Sequence, residues 1–273
     1  MREIRFSIDR DWARAAHGES GFQGALPVTN SWGGWPSAVG VAPYLTLRIV
    51  VSGIPDGVTG YLVNIQELDA LLRRDAIPAA ARMLLASGVG LTGERLLQNI
   101  HREVARQISA GELARARLES LTLATTPFLS YTIRQGDTDM VELTQCFEFS
   151  ASHRLHVAAL SADENRRVFG KCNNPGGHGH NYQIEVTVTG SISDATGTVL
   201  SLPEFESIVK REVIDRFDHK HLNTDTADFR EVNPSVENIS RRVWELLESK
   251  VAPARLARVR VWETAKTYAE YVA

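Results

Sequence analysis

The sequence predicts an α+β protein built as two units in tandem, each an antiparallel four-stranded sheet with two helices on one face. Two observations predict it. The first is an internal echo: YLTLRIVVSGIPDGVTGYLVNIQELDALLRR (Tyr44 to Arg74) is answered, with a one-residue gap, by YQIEVTVTGSISDATGTVLSLPEFESIVKR (Tyr182 to Arg211). NIHREV at Asn99 is answered by NISRRV at Asn238, and ARLESLTLATT at Ala116 by ARLARVRVWETA at Ala254. Three matches in one order indicate duplication, and a period of about 138 residues is too long for a solenoid repeat. The second is the succession of hydrophobic periods within each half, first 2.0, then 3.6, then 2.0 again.

The second half shows the succession most clearly. Tyr182, Ile184, Val186 and Val188 alternate with Gln183, Glu185, Thr187 and Thr189, the pattern of a half-buried strand. Gly190 to Gly197 supplies turn chemistry. Two helices follow, one over 203–216 and one over 235–250, the second opened by Pro234 and the N-cap residue Ser235. Strands over 257–263 and 267–272 close the unit. Strand, strand, helix, helix, strand, strand is the order of a sheet with its helices packed on one side. The division between halves is expected near the turn-like GDTD, giving domains 1–138 and 139–273.

Composition narrows the functional classes. The chain has 273 residues, 43% apolar and 23% charged, with a net charge of -3. That is the profile of an ordinary globular protein, and it offers no electrostatic footprint for nucleic acid. The N-terminus has no apolar signal region and no stretch reaches the length of a membrane span, so the expectation is a cytoplasmic protein with no membrane partner. Two cysteines, Cys146 and Cys172, are too few for a disulfide framework in a chain this long.

Chemistry concentrates in FEFSASHRL and GKCNNPGGHGHNY. On an extended chain His178 and His180 point the same way and can chelate one ion, while Gly176, Gly177 and Gly179 let the backbone approach closely. His153, near the end of the preceding strand, supplies a third imidazole if the strands pair. Three imidazoles with no fourth protein ligand is the pattern of a catalytic zinc with an open position. The absence of a carboxylate beside them favours zinc over iron or magnesium. An isolated H-x-H is common in strands that bind nothing, so the weight lies on the whole constellation.

That constellation has a family resemblance. HRLHVAALSADENRRVFGKCNNPGGHGHNYQIEVTVTG, RFDHKHLN, NPSVENISRRVWELL and VRVWETA, in that order, resemble the 6-pyruvoyltetrahydropterin synthase family over nearly all of residues 143 to 273. The resemblance implies that His153, His178 and His180 are zinc ligands. It implies that Cys172 abstracts a proton with Asp218 and His219 completing a triad, and that Glu263 anchors the pterin ring. Ser235 is a weaker candidate for a substrate contact, with a plain N-cap as its alternative. The resemblance further implies the T-fold, in which four-stranded units join around a barrel and active sites lie between units.

The implied reaction takes 7,8-dihydroneopterin triphosphate to 6-pyruvoyltetrahydropterin with loss of triphosphate, and needs no external redox cofactor. Removing a carbon-bound proton beside a hydroxyl requires a base and a way to stabilise the charge left behind. Cys172 suits the first task and zinc the second, with His219 as proton shuttle oriented by Asp218. Glu263 can accept paired hydrogen bonds from a pterin amino group and ring N–H. His156, His221, His17 and His101 are expected to be structural or solvated.

In the first half the repeat alignment sets Gly40 and Ala42 opposite His178 and His180, Arg10 opposite His153, Gly34 near Cys172 and Thr125 opposite Glu263. No Asp-His pair occurs between Arg74 and Asn99. The first half is therefore expected to be a copy without the catalytic residues that completes a barrel, and the Trp32/Trp35 segment a packed loop. Because the resemblance places Cys172 and the Asp218–His219 pair on neighbouring units, a homo-oligomer with sites shared between chains is expected. The competing readings are a 6-carboxytetrahydropterin synthase of queuosine biosynthesis, sepiapterin cleavage, and a non-enzymatic pterin-binding assembly module.

Overall fold

The computed structural model describes residues 1–8, 43–87, 90–111, 113 and 115–273, and its residues gather into two compact units. The first comprises Met1–Leu143 with Ser191–Val199, the second Thr144–Gly190 with Leu200–Ala273. Both are α+β with antiparallel strand pairs. Trp32, Trp35, Arg10, Gly34, Gly40, Ala42 and His17 lie outside the described residues.

In the first unit, strands β1 (Arg2–Ser7), β2 (Tyr44–Gly53), β3 (Ala116–Thr126) and β4 (Leu129–Arg134) pair antiparallel in sequence order. Their period-2 pattern puts Ile4, Phe6, Leu45, Leu47, Ile49, Leu121, Leu123 and Ile133 inside. Helix α1 (Ile65–Leu71), capped by the Asn64 side chain, runs through a π-helical turn (Leu72–Ala76) into α2 (Ile77–Ser87). Helix α3 (Gly93–Ser109) is capped by Thr92 and packs Leu96, Leu97, Ile100 and Val104 against β3 and β4. Gly93 is required there, since a Cβ would lie 2.2 Å from the Tyr131 ring. His101 is 6% exposed and burial alone lowers its pKa, which agrees with a structural role.

The second unit is built on β5 (Met140–His153), β6 (His178–Ser191), β8 (Arg255–Thr264) and β9 (Thr267–Val272), neighbours in that order, with a two-residue strand, β7 (Lys220–His221), parallel to β5. Helix α4 (Ala162–Phe169) follows β5. Helix α5 (Leu202–Val209) passes through a π-helical turn (Lys210–Ile214) into the short α6 (Asp215–Phe217), and α7 (Leu222–Asp225) follows β7. Helix α8 (Val236–Leu247) buries Ile239, Val243, Trp244 and Leu247 against β8 and β9. Helices over 203–216 and 235–250 and strands over 257–263 and 267–272 therefore appear with ends shifted by a few residues. The sequence reading has no counterpart for α4 or α7.

The core face of this sheet positions the site. Phe149 and Ala151 precede His153 on it, Tyr182 and Ile184 follow His180, and Val259 and Val261 precede Glu263, all at alternate positions. Each strand thus carries its inward apolar series up to one end and finishes it with a ligating side chain. No described helix is long and apolar enough to cross a membrane.

Candidate metal centre

Four side chains converge at the ends of β5, β6 and β8. One ligand atom from each of His153, His178, His180 and Glu263 lies within 4.8 Å of all the others. His153 Nε2 is 3.1 Å from His178 Nε2 and 3.1 Å from Glu263 Oε1, and His180 Nε2 is 3.0 Å from the same oxygen. Among the described residues this is the one such group of histidine, cysteine and acidic side chains. The first unit therefore shows none among its described residues.

Tautomers decide what this cluster can hold. His153 is fully buried and its Nδ1 lies 2.7 Å from the Pro234 carbonyl, which can only accept, so the ring proton sits on Nδ1. Nε2 is then a lone pair facing another imidazole nitrogen and a carboxylate oxygen. His180 Nε2, although close to Glu263, makes no hydrogen bond, and His178 Nδ1 is buried without one. Lone pairs aimed at one another at 3.0 to 3.1 Å repel unless a cation lies among them. Bonds of about 2.0–2.2 Å in a tetrahedral site separate ligand atoms by roughly 3.3 Å, so the donor set and its spacing fit a zinc-sized ion. The carbonyl of Pro234 is the outer partner that orients a ligating imidazole.

Electrostatics prepare the ligands. Burial, then the neighbouring imidazoles, lowers the His178 pKa; burial also lowers that of His180 against the opposing pull of Glu263. Both rings are held neutral, the form that ligates. Glu263 is pushed below its ordinary range, first by its hydrogen bond with His153, and is an anion. Its presence corrects one expectation: a carboxylate does accompany the three histidines. The argument for zinc from an all-imidazole set falls, and the case for zinc rests on spacing and on the number of nitrogen donors.

Local backbone explains the approach of β6. Asn174 to Gly177 forms a turn in which Gly177 N donates to Asn174 O and Asn174 Nδ2 donates to Gly177 O. Gly177 has φ +72°, and a Cβ there would lie 2.8 Å from His221 Nε2 and 3.0 Å from the His153 carbonyl. Gly177→Ala is expected to destabilise the fold by about 1–2 kcal/mol and to weaken metal binding, because His178 must shift. Thermal melting with metal analysis of the purified variant checks it; unchanged melting and metal content would remove Gly177 from the account.

The other candidates are placed as follows. Cys172 lies in a single 3₁₀ turn (Gly170–Asn173), where its carbonyl accepts from Leu155 N at 2.9 Å, and its charge is among the influences that raise the Tyr182 pKa after burial and Glu263. Asp218 accepts from Ser150 N at 2.9 Å and sits 2.8 Å from His219 Nδ1, so the dyad is formed. The Ser150 amide, then His219, holds the Asp218 carboxyl below its usual range. His219 takes a left-handed backbone, φ 56°, and its side chain is 83% exposed. Among the described residues no hydrogen bond joins Cys172 to Asp218 or His219. Ser235 caps α8 by accepting from Asn238 N. Cys146, pushed up to about 11 by burial and then by Glu185, has the character of an inert thiol.

Two features escaped the sequence reading. Pro234 contributes through its carbonyl, and fully buried Tyr182 brings its hydroxyl within 3.4 Å of His153 Nδ1. Pro234 was legible only as a helix opener, and Tyr182 as a core residue at the ligand end of an alternating strand.

Known proteins match the same half. The family model described as 6-pyruvoyl tetrahydropterin synthase matches residues 142–273. A 6-pyruvoyl tetrahydrobiopterin synthase of Homo sapiens is 40% identical over 129 residues, 47% of this chain and 89% of that protein. One of Poecilia reticulata is 42% identical over 130 residues, 47% of this chain and 88% of its own length. A 6-carboxy-5,6,7,8-tetrahydropterin synthase of Haemophilus influenzae is 25% identical over 122 residues, 37% of this chain and 84% of that protein. The solved 6-pyruvoyl tetrahydropterin synthase of Caenorhabditis elegans is 36% identical, with a TM-score of 0.47, covering 49% of this chain and 96% of that one. Identity of 40% across nine-tenths of a relative, over the stretch that builds the cluster, means that through residues 142–273 the chain belongs to the 6-pyruvoyl tetrahydropterin synthase family.

Proposed function

We propose that residues 139–273 form a zinc-dependent lyase that converts 7,8-dihydroneopterin triphosphate to 6-pyruvoyltetrahydropterin with loss of triphosphate. The observation that carries this reading is the convergence of His153, His178, His180 and Glu263 within 4.8 Å, in the half that resembles relatives bearing the synthase name. Zinc held by the three histidines supplies a positive charge that polarises the substrate's side-chain oxygens. Cys172 takes the carbon-bound proton as thiolate. His219, kept in one tautomer by Asp218, returns a proton to the neighbouring carbon. Glu263 turns its carboxylate to the ring's paired N–H donors.

Within the same fold the runner-up product is 6-carboxytetrahydropterin. The 25% identity to the carboxy relative, against 40% to the pyruvoyl one, favours the pyruvoyl product. Incubation of the zinc-loaded protein with 7,8-dihydroneopterin triphosphate, followed by chromatography of the pterins, separates these outcomes. The proposal expects the pyruvoyl product and free triphosphate. A carboxy product, turnover of sepiapterin alone, or no turnover at all would overturn it in favour of one of the other readings.

We further read the first unit as a tandem copy that has lost the site, and the active centre as shared between second units of different chains. The exposure of His219, and the absence of a hydrogen bond between it and Cys172 among the described residues, support a partner on that side. Mixing Cys172→Ala chains with His219→Ala chains tests this. Activity recovered after subunit exchange supports shared sites; none, with exchange confirmed, places each triad within one chain.

A further inference from the structure

Beside the metal cluster, a depression of about 470 Å³ is walled by the segment after His153 and the turn that carries Cys172. Arg154, His156, Arg166 and Lys171 line it with Asn173 and Asn174, and none of its lining residues is acidic. The two segments are sewn together by the bond from Leu155 N to the Cys172 carbonyl. Arg154 is held in place: its Nε donates to Asn173 O at 3.2 Å and its Nη2 to Asn173 Oδ1 at 2.7 Å, with Asn173 itself 7% exposed. Its Nη1 makes no hydrogen bond among the described residues. His156 is fixed by its amide donating to Asn233 Oδ1 and by Asn173 Nδ2 at 3.4 Å from its Nδ1. Arg166 pairs with Asp163 across one helical turn, an exposed contact that contributes little and yields to a stronger anion.

We propose that this depression is the seat of the substrate's triphosphate arm. The inference rests on the lyase reading, and adds to it the group that the page leaves without a place. Arg154 directly follows a metal ligand, and Lys171 and Asn173 flank Cys172, so an anion seated here is tethered to a side chain whose carbons lie by the thiol and the ion. A preorganised guanidinium with two further cations is the chemistry that recognises a polyphosphate. The lining explains why a triphosphate ester, and not the free alcohol, is the expected substrate: remote binding energy positions the reacting carbons.

The test uses the full chain with its metal. Inorganic tripolyphosphate is titrated calorimetrically into the wild type, the Arg166→Gln/Lys171→Gln variant and an Arg102→Gln control on the other unit, with metal content measured before and after so that chelation is separated. Tenfold or greater weakening in the double variant is expected, from two charge-assisted contacts, and the binding should fall with added salt. The control should match the wild type. In turnover assays the double variant should raise KM by a similar factor with kcat within about twofold, since charges that only tuned the thiol would move kcat instead. Tripolyphosphate that binds all three proteins alike, or none of them, overturns the assignment, as does an unchanged KM. If the chain turns over no pterin yet binds tripolyphosphate through these residues, the lyase reading falls and the anion site stands.

Discussion

Replacing Cys172 by alanine is expected to lower kcat by roughly 10²–10⁴-fold, the range lost when a positioned proton-transfer group is removed. The ion should stay. Cys172 is not among the four residues whose ligand atoms converge, and its backbone, through the bond with Leu155, holds the turn whichever side chain it bears. Alanine is smaller than cysteine and the position is only half-buried, so melting should change by less than about 1 kcal/mol. Steady-state kinetics with metal analysis on the same preparation is the measurement. Retained turnover would move the role of base to another group, with His219 next in line; lost metal would make Cys172 a ligand.

Glu263→Gln is expected to weaken pterin binding by about 30-fold or more, corresponding to about 2 kcal/mol for a buried donor left facing an amide N–H, while the metal is retained. The carboxylate stands at the boundary of two roles. Its Oε1 is within 3.1 Å of two ligand nitrogens, so it can close the coordination sphere, yet the lyase reading needs that position open to substrate. Three neutral imidazoles suffice to hold a zinc-sized ion, and a freed carboxylate gains two charge-assisted bonds from a pterin ring. Pterin affinity and metal content, measured together on the variant, separate the roles. Metal lost with pterin affinity unchanged would make Glu263 a permanent ligand and close the site to substrate oxygens.

Much of this was legible along the chain because it is local. The alternation from Tyr182 to Thr189, the Pro234–Ser235 helix start and the His178–Gly179–His180 spacing all concern neighbours on one element, and each appears in the structure with small shifts at its ends. Helix α4 was legible in principle: Ser161 and Glu164 form a reciprocal capping box, although only eight residues follow it. What no single element reveals is register. Glu263 joins the histidines because β8 pairs with β6, Ile184 opposite Val261, and that alignment is set by core packing across strands. The Pro234 carbonyl is further still from sequence logic, since it acts through the backbone of a residue 81 positions from His153. The π-helical turns at Leu72–Ala76 and Lys210–Ile214 likewise leave no periodic trace in so few residues.

The central claim is that one metal centre, built by the second unit, carries the activity. The direct test is to strip the protein of metal, return zinc in measured fractions of an equivalent per chain, and follow turnover of 7,8-dihydroneopterin triphosphate against zinc bound. The account predicts no activity in the stripped protein, a linear rise, and a plateau at one ion per chain. Activity without metal, or a rise that continues to two ions per chain, would contradict it.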